Sequence, residues 1–164
     1  MSFSNIHFVL HKPQLSENIG FCARALKNFK FKNLRVVSPK VSFPNDKIIA
    51  TSVGAKNIIK NTKVFKSFDK AINNFNCVIA TTTRIRNKNF KYLNIKDLKK
   101  KIDFTKKVAF IFGPESSGLS NNELSYANYV IKLPTNQNFE SINISHSLII
   151  FCYELFNIFN NKEK

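Results

Sequence analysis

The chain has 164 residues, 43% of them hydrophobic, and 26 Lys and Arg against 10 Asp and Glu give it a net charge of +16. That length suits one domain with a real core, and four Gly with five Pro exclude a low-complexity linker. The positive charge points to a polyanion, RNA or DNA, whose counterions leave on binding; no run reaches a membrane span and no basic amphipathic helix sits at a terminus.

The N-terminal MSFSNIHFVLHKPQ has no basic segment ahead of its short apolar run, so no secretory signal is read there. IHFVL at 6–10 predicts a strand. A helix over 17–29 follows Pro13 and is started by Ser16. Its apolar stripe is Ile19, Cys22, Ala23, Leu26 and Phe29, and Glu17, Phe21, Arg24 and Asn28 lie opposite. NLRVVS at 33–38 predicts the next strand, and 45–75 reads as helices with a break near Phe65 and Phe68. CVIAT at 77–81 and VAFIF at 108–112 are fully apolar strands, separated by a basic segment, 84–107, read as a loop with a short helix. YVIKL at 129–133 predicts a further strand, and the final helix begins near Ser141. That helix is apolar nearly all round, which suits a subunit interface. Residues 161–164 read as a frayed tail beyond one domain over 1–160.

Strands alternating with helices predict an α/β fold with a mostly parallel sheet flanked by helices. Cys22, Cys77 and Cys152 are far apart and odd in number, so they read as buried thiols in a reducing cytoplasm. Polar segments at 12–20, 80–87, 113–120 and 133–145 each follow a strand and, in a parallel sheet, converge beyond the strands' carboxyl ends. The segment at 113–120, GPESSGLS, lacks the Lys of a phosphate-binding loop, loses an N–H at Pro114 and carries the carboxylate of Glu115. It does not match the Gly-x-Ser-x-Gly of a hydrolase elbow. His7, His11 and His146 show no metal-ligand spacing, and no metal is expected. What remains is a loop that presents backbone groups to a neutral or cationic ligand.

ENIGFCAR at 17–24, IFGPESSGLSNNEL at 111–124 and LPTNQNFESINIS at 133–145 together resemble the SpoU/TrmH-type RNA ribose 2′-O-methyltransferases of the SPOUT class. The resemblance covers about residues 5–156, and KPQLSENIGFCARALKNFKFKNLRVVSP at 12–39 with GLSNNEL at 118–124 look most like the TrmJ-like branch that methylates a cytidine or uridine of the tRNA anticodon loop. It implies a SPOUT fold with a C-terminal trefoil knot, S-adenosylmethionine (AdoMet) as cofactor, a homodimer and cytoplasmic tRNA, with rRNA as the alternative substrate. By the same resemblance the cofactor lies against Thr81, Thr82, Thr83, Gly113, Gly118, Leu133, Pro134, Ser141 and Ile142. Arg24 falls on the catalytic Arg of the family's first motif, and Asn18, Glu115, Ser141 and Asn143 complete the site; Glu115 fixes backbone or Asn18. The family gives this Arg the role of base, whereas a guanidinium stays protonated, so stabilisation of the developing alkoxide is preferred. Taken alone Arg24 is a solvated side chain, and Ser141 a helix cap. Arg24, Arg84, Arg86 and Lys88 are the expected RNA contacts, with Lys91 and Lys99–Lys101 as further phosphate holders. A non-catalytic RNA binder is the alternative of a different class.

Overall fold

Apolar runs without alternation build the centre of the sheet. The structure, a computed structural model, describes residues 2–84 and 89–160. Its strands are β1 (Ile6–His11), β2 (Asn33–Val37), β3 (Lys63–Phe65), β4 (Cys77–Thr82), β5 (Val108–Phe112) and β6 (Tyr129–Lys132). Its helices are α1 (Ser16–Asn28), α2 (Asp46–Thr51), α3 (Lys56–Lys60), α4 (Phe68–Ile72), α5 (Leu98–Lys101), α6 (Asn121–Leu124) and α7 (Ile144–Asn160). The strands form one six-stranded sheet in the order β3-β2-β1-β5-β4-β6, every pair parallel. The expected α/β architecture is therefore present. All five residues of β5 are buried, as a strand covered on both faces requires.

Two cores sandwich the sheet. On one face, Phe8, Leu34, Val36, Ile79, Phe110 and Phe112 meet helices α1, α2, α3, α5 and α7. On the other, Val9, Val37, Ala80, Ala109 and Ile111 meet α4 and α6. Successive residues of a strand feed opposite faces, which is why the apolar runs are continuous. Phe side chains carry the larger core: Phe8 and Phe110 face each other in register with centroids 5.9 Å apart, and Phe151 of α7 sits 5.6 Å from Phe110. Helix α1 lies close on α2 because Gly20 has no side chain. A methyl there would stand 2.8 Å from the carbonyl oxygen of Ile48 and strike Thr51.

Several boundaries depart from the sequence reading. The 45–75 region contains β3 as well as helices; its three residues are largely exposed at the sheet edge and leave no hydrophobic pattern to read. The last helix starts at Ile144, not near Ser141. Cys22 and Cys152 are buried, whereas Cys77 at the start of β4 is only half-buried. Burial pushes the Cys77 thiol up to about 11, so it too is a poor nucleophile. Among the described residues no helix is long and apolar enough to cross a membrane. The tail at 161–164 lies outside the described residues.

Candidate active site

The polar segments after β1, β4, β5 and β6 do converge at the carboxyl edge of the sheet. An inner hollow of about 90 Å³ is walled by Thr81, Thr82, Thr83, Arg84, the loop 113–118 and, from the last segment, Ser141, Ile142, Ile144 and Ser147. It adjoins an outer cleft of about 510 Å³ lined by Leu15, Asn18, Phe139, Asn143 and His146. Glu115, Ser141 and Ile142 belong to both walls, so the two spaces are neighbours.

The loop after β5 owes its shape to its glycines. Gly118 sits at φ 67°, and its N–H donates 2.8 Å to the carbonyl of Pro114, closing a tight turn. The turn folds back on Gly113, where a methyl would approach the Cα of Gly118 to 2.9 Å and collide with the Leu119 amide. Pro114 thus serves as an acceptor in the turn, and its missing N–H costs nothing there.

Glu115 organises the edge. Its carboxylate accepts from the backbone N–H of Gln14 at 2.8 Å, the N–H of Leu15 at 3.2 Å and Asn18 Nδ2 at 3.0 Å. Gln14 answers by accepting from the Ser116 N–H at 3.0 Å. Asn143 Nδ2 donates to Asn18 Oδ1 at 3.0 Å, while Asn143 Oδ1 accepts from the N–H and hydroxyl of Ser145 at the start of α7. The chain Asn143–Asn18–Glu115 takes one residue from each of the three sequence motifs. Glu115 was expected to fix backbone or Asn18; it does both.

This geometry changes two assignments. Ser16 does not cap α1: it is the first helical residue, and its hydroxyl accepts from Asn45 Nδ2 at 2.8 Å. The orphan amides just ahead of the helix are satisfied by Glu115, which an isolated sequence window cannot show. Ser141 does not cap α7 either; it is exposed on the walls of both spaces, and Asn143 takes the capping position.

Of the other expected residues, Thr81, Thr82, Thr83, Gly113, Gly118 and Ile142 line the inner hollow. Thr81 is buried, donating to the Ile111 carbonyl at 2.9 Å. Leu133 and Pro134 do not line it: Leu133 is buried beneath, its N–H donating 3.2 Å to the Thr82 carbonyl, and Pro134 is exposed. Arg84 is on the rim, whereas Arg86 and Lys88 lie outside the described residues. Arg24 is exposed on the outer side of α1, as its stripe predicted, and lines neither space. Gln14, His146 and Ser147 were missed. Gln14 stood inside a quoted segment, but nothing in its spacing marked it.

A second tie joins β1 to the stretch after the loop. His11 Nε2 meets Glu123 Oε1 at 2.6 Å, and Glu123 also closes a capping box with Ser120 at the start of α6. Burial holds the His11 imidazole below its ordinary value, against the pull of Glu123. Burial pushes the Glu123 carboxyl up, but the Ser120 N–H and His11 more than offset this and leave it lowered. Among the described residues no group of His, Cys, Asp and Glu could hold a metal ion.

An apolar strip borders the outer cleft. From His146 at its edge, Ile149 and Ile150 at 38% and Tyr153 at 54% exposure follow along α7 at helical spacing. Phe21 on α1 is 42% exposed, three residues from Arg24.

Residues 5–153 match the SpoU rRNA Methylase family. The tRNA (cytidine-2′-O-)-methyltransferase TrmJ of Methanocaldococcus jannaschii is 34% identical over 92% of this chain and 67% of its own, so the chain spans about two thirds of that relative. The crystal structure of TrmJ from Z. mobilis ZM4 superposes with a TM-score of 0.88 at 30% identity, covering 96% of this chain and 71% of that one. The SpoU methyltransferase AviRb of Streptomyces viridochromogenes, solved with AdoMet, gives a TM-score of 0.75 at 16% identity over 96% and 58% of the two chains, a likeness of fold.

Proposed function

The chain belongs to the SpoU rRNA Methylase family, and from that premise we propose that it methylates a ribose 2′-hydroxyl of tRNA with AdoMet, at a cytidine or uridine of the anticodon loop. The observation that carries the reading is the Asn143–Asn18–Glu115 chain, which locks the three segments into one edge beside the hollow. When bound, AdoMet supplies a methyl group on a cationic sulfur.

The residues present fit such a group. The inner hollow offers Gly113 and Gly118 backbone, the side chains of Thr81, Thr82 and Thr83, and apolar Phe112, Ile142 and Ile144 for a flat base. Ser141, which walls both spaces, would hold the part of the group that the hollow does not enclose. Asn18 and Asn143 fix the floor of the outer cleft, where the ribose would be received.

A ribose hydroxyl is a weak nucleophile until its proton leaves. The Arg24 guanidinium stabilises the developing oxyanion and an adjacent phosphate. On its own chain Arg24 stands outside both spaces, so we propose a homodimer in which it faces the partner's cleft. The apolar strip of Phe21, Ile149, Ile150 and Tyr153 beside it supports that arrangement. The C-terminal trefoil knot of the SPOUT class and a cytoplasmic setting belong to the same proposal.

The test is methyl transfer from labelled AdoMet to unmodified bulk tRNA and rRNA, followed by nucleoside mass spectrometry. A 2′-O-methyl pyrimidine in tRNA that disappears with Arg24→Ala is the expected result. Product on rRNA alone would move the substrate, and AdoMet binding without product on either RNA would leave a binding protein.

A further inference from the structure

The opposite edge of the sheet, where the strands begin, gathers positive charge that the reaction does not use. Strand register sets His7 opposite Asn33, and Val9, Arg35 and Lys63 in one row. Alternate residues share a face. His7, Arg35 and Lys107 each stand two positions before a residue of one core, Val9, Val37 and Ala109, so all three project on that face with Lys63.

Arg35 is only 6% exposed. Its Nη1 donates to the Ala71 carbonyl at 2.6 Å and to Asn74 Oδ1 at 3.2 Å, and its guanidinium stacks on Phe75 and Phe65 at 4.4 and 5.2 Å. These partners are all neutral. Among the described residues no carboxylate pairs with Arg35, Lys63 or Lys107, and Asp69 of nearby α4 is exposed and pairs with none of them. A buried cation without a counter-charge is costly, whereas a fixed cation beside an open cleft is ready for an anion. Such a cleft is there: about 340 Å³, walled by His7, Lys32, Asn33, Arg35, Asn57 and Lys63, with no acid in its lining. The imidazole of His7 registers the same field, lowered to about 4 by burial and then by Arg35, Lys107 and Lys63. A lysine-rich composition explains exposed lysines but not a buried arginine clamped between two rings.

We propose that His7, Arg35, Lys63 and Lys107 form a phosphate site, and that its phosphate belongs to the backbone of the same tRNA whose ribose is methylated at the far edge. The second half rests on the RNA reading above. It is favoured over a free phosphate because the charge continues along the edge. Beneath β4 and β6 a cleft of about 680 Å³ presents Lys91, Lys101 and Lys106 with Asn76, Phe90 and Tyr129, and its one carboxylate, Asp103, is 3.8 Å from Lys106. Six strands at about 4.8 Å spacing make this edge roughly 24 Å wide, room for several consecutive nucleotides.

The experiment is tRNA binding across a salt series with the double variant Lys63→Glu/Lys107→Glu, whose altered side chains are exposed. AdoMet affinity serves as the control for folding, and the His7 ring signals are followed by NMR as inorganic phosphate is added. The expected result is at least a tenfold loss of tRNA affinity at low salt and a fall of about 1.4 to 1.8 in the log–log salt slope, two phosphate contacts' worth. AdoMet binding stays unchanged, and phosphate shifts the His7 signals in the parent but not in the variant. Unchanged tRNA affinity and slope with silent His7 signals would overturn the site. A His7 response with tRNA binding intact would overturn the RNA half and assign the site to a free phosphate or mononucleotide. Failure of the RNA reading itself looks different: the parent protein would bind AdoMet and no RNA.

Discussion

Replacing Glu115 by Gln tests whether this carboxylate holds α1 to the loop after β5. Its two oxygens accept three donors, at 2.8, 3.0 and 3.2 Å. A Gln amide can keep its oxygen on Leu15 and Asn18, which leaves its NH₂ facing the Gln14 N–H, donor against donor. One bond is lost, at about 1 kcal/mol where the groups are near the surface, and the surviving two lose their charge assistance, about 0.5 kcal/mol each. The sum is about 2 kcal/mol, or a fall in Tm of roughly 4–8 °C for a chain of this size. Urea unfolding followed by circular dichroism, with and without AdoMet, measures it. The loosened turn should also lower kcat through Arg24 more than it weakens AdoMet binding. A loss below about 0.5 kcal/mol with unchanged kcat would refute the view that Glu115 positions α1.

Arg24→Ala should cut methyl transfer by about 10²-fold or more while stability stays within about 0.5 kcal/mol, because the side chain is exposed; Arg24→Lys recovering fully at high pH would instead show a base. Gly113→Ala has no space for its methyl beside Gly118 and should weaken AdoMet binding at least tenfold by calorimetry. Tyr153→Arg places a charge in the apolar strip and should give a monomer by light scattering, with activity lost. The His7 value of about 4 is below that of an unfolded His, so the unfolded chain binds the extra proton as pH falls from about 6.5 to 4. Stability must therefore drop over that window, and His7→Gln should flatten the slope in urea titrations at several pH values.

The sheet was legible because its strands are covered on both faces: VAFIF and CVIAT can hardly be anything else in a chain that alternates them with amphipathic helices. The stripe of α1 was equally plain, down to Arg24 on the outer side. The three-residue β3 was not, since an exposed edge strand carries no apolar period. The helix starts were misread for a different reason. Ser16 and Ser141 look like caps locally, but Glu115 takes the amides just ahead of α1 across about a hundred residues of sequence, and Asn143 serves α7. The residues of the candidate site came from motif resemblance; their hydrogen-bond partners came only from the fold. Leu133 is one example: the motif named it, and the fold supplied its burial and its N–H bond to the Thr82 carbonyl.

Asn18 and Arg24 share one unbroken helix, the first inside the clasp and the second facing out. Six residues set them about 9 Å apart along the axis and on different sides of it. One codon gained or lost between these two residues would swing Arg24 by about 100°. Descendants of this gene should therefore keep the length of that interval unchanged.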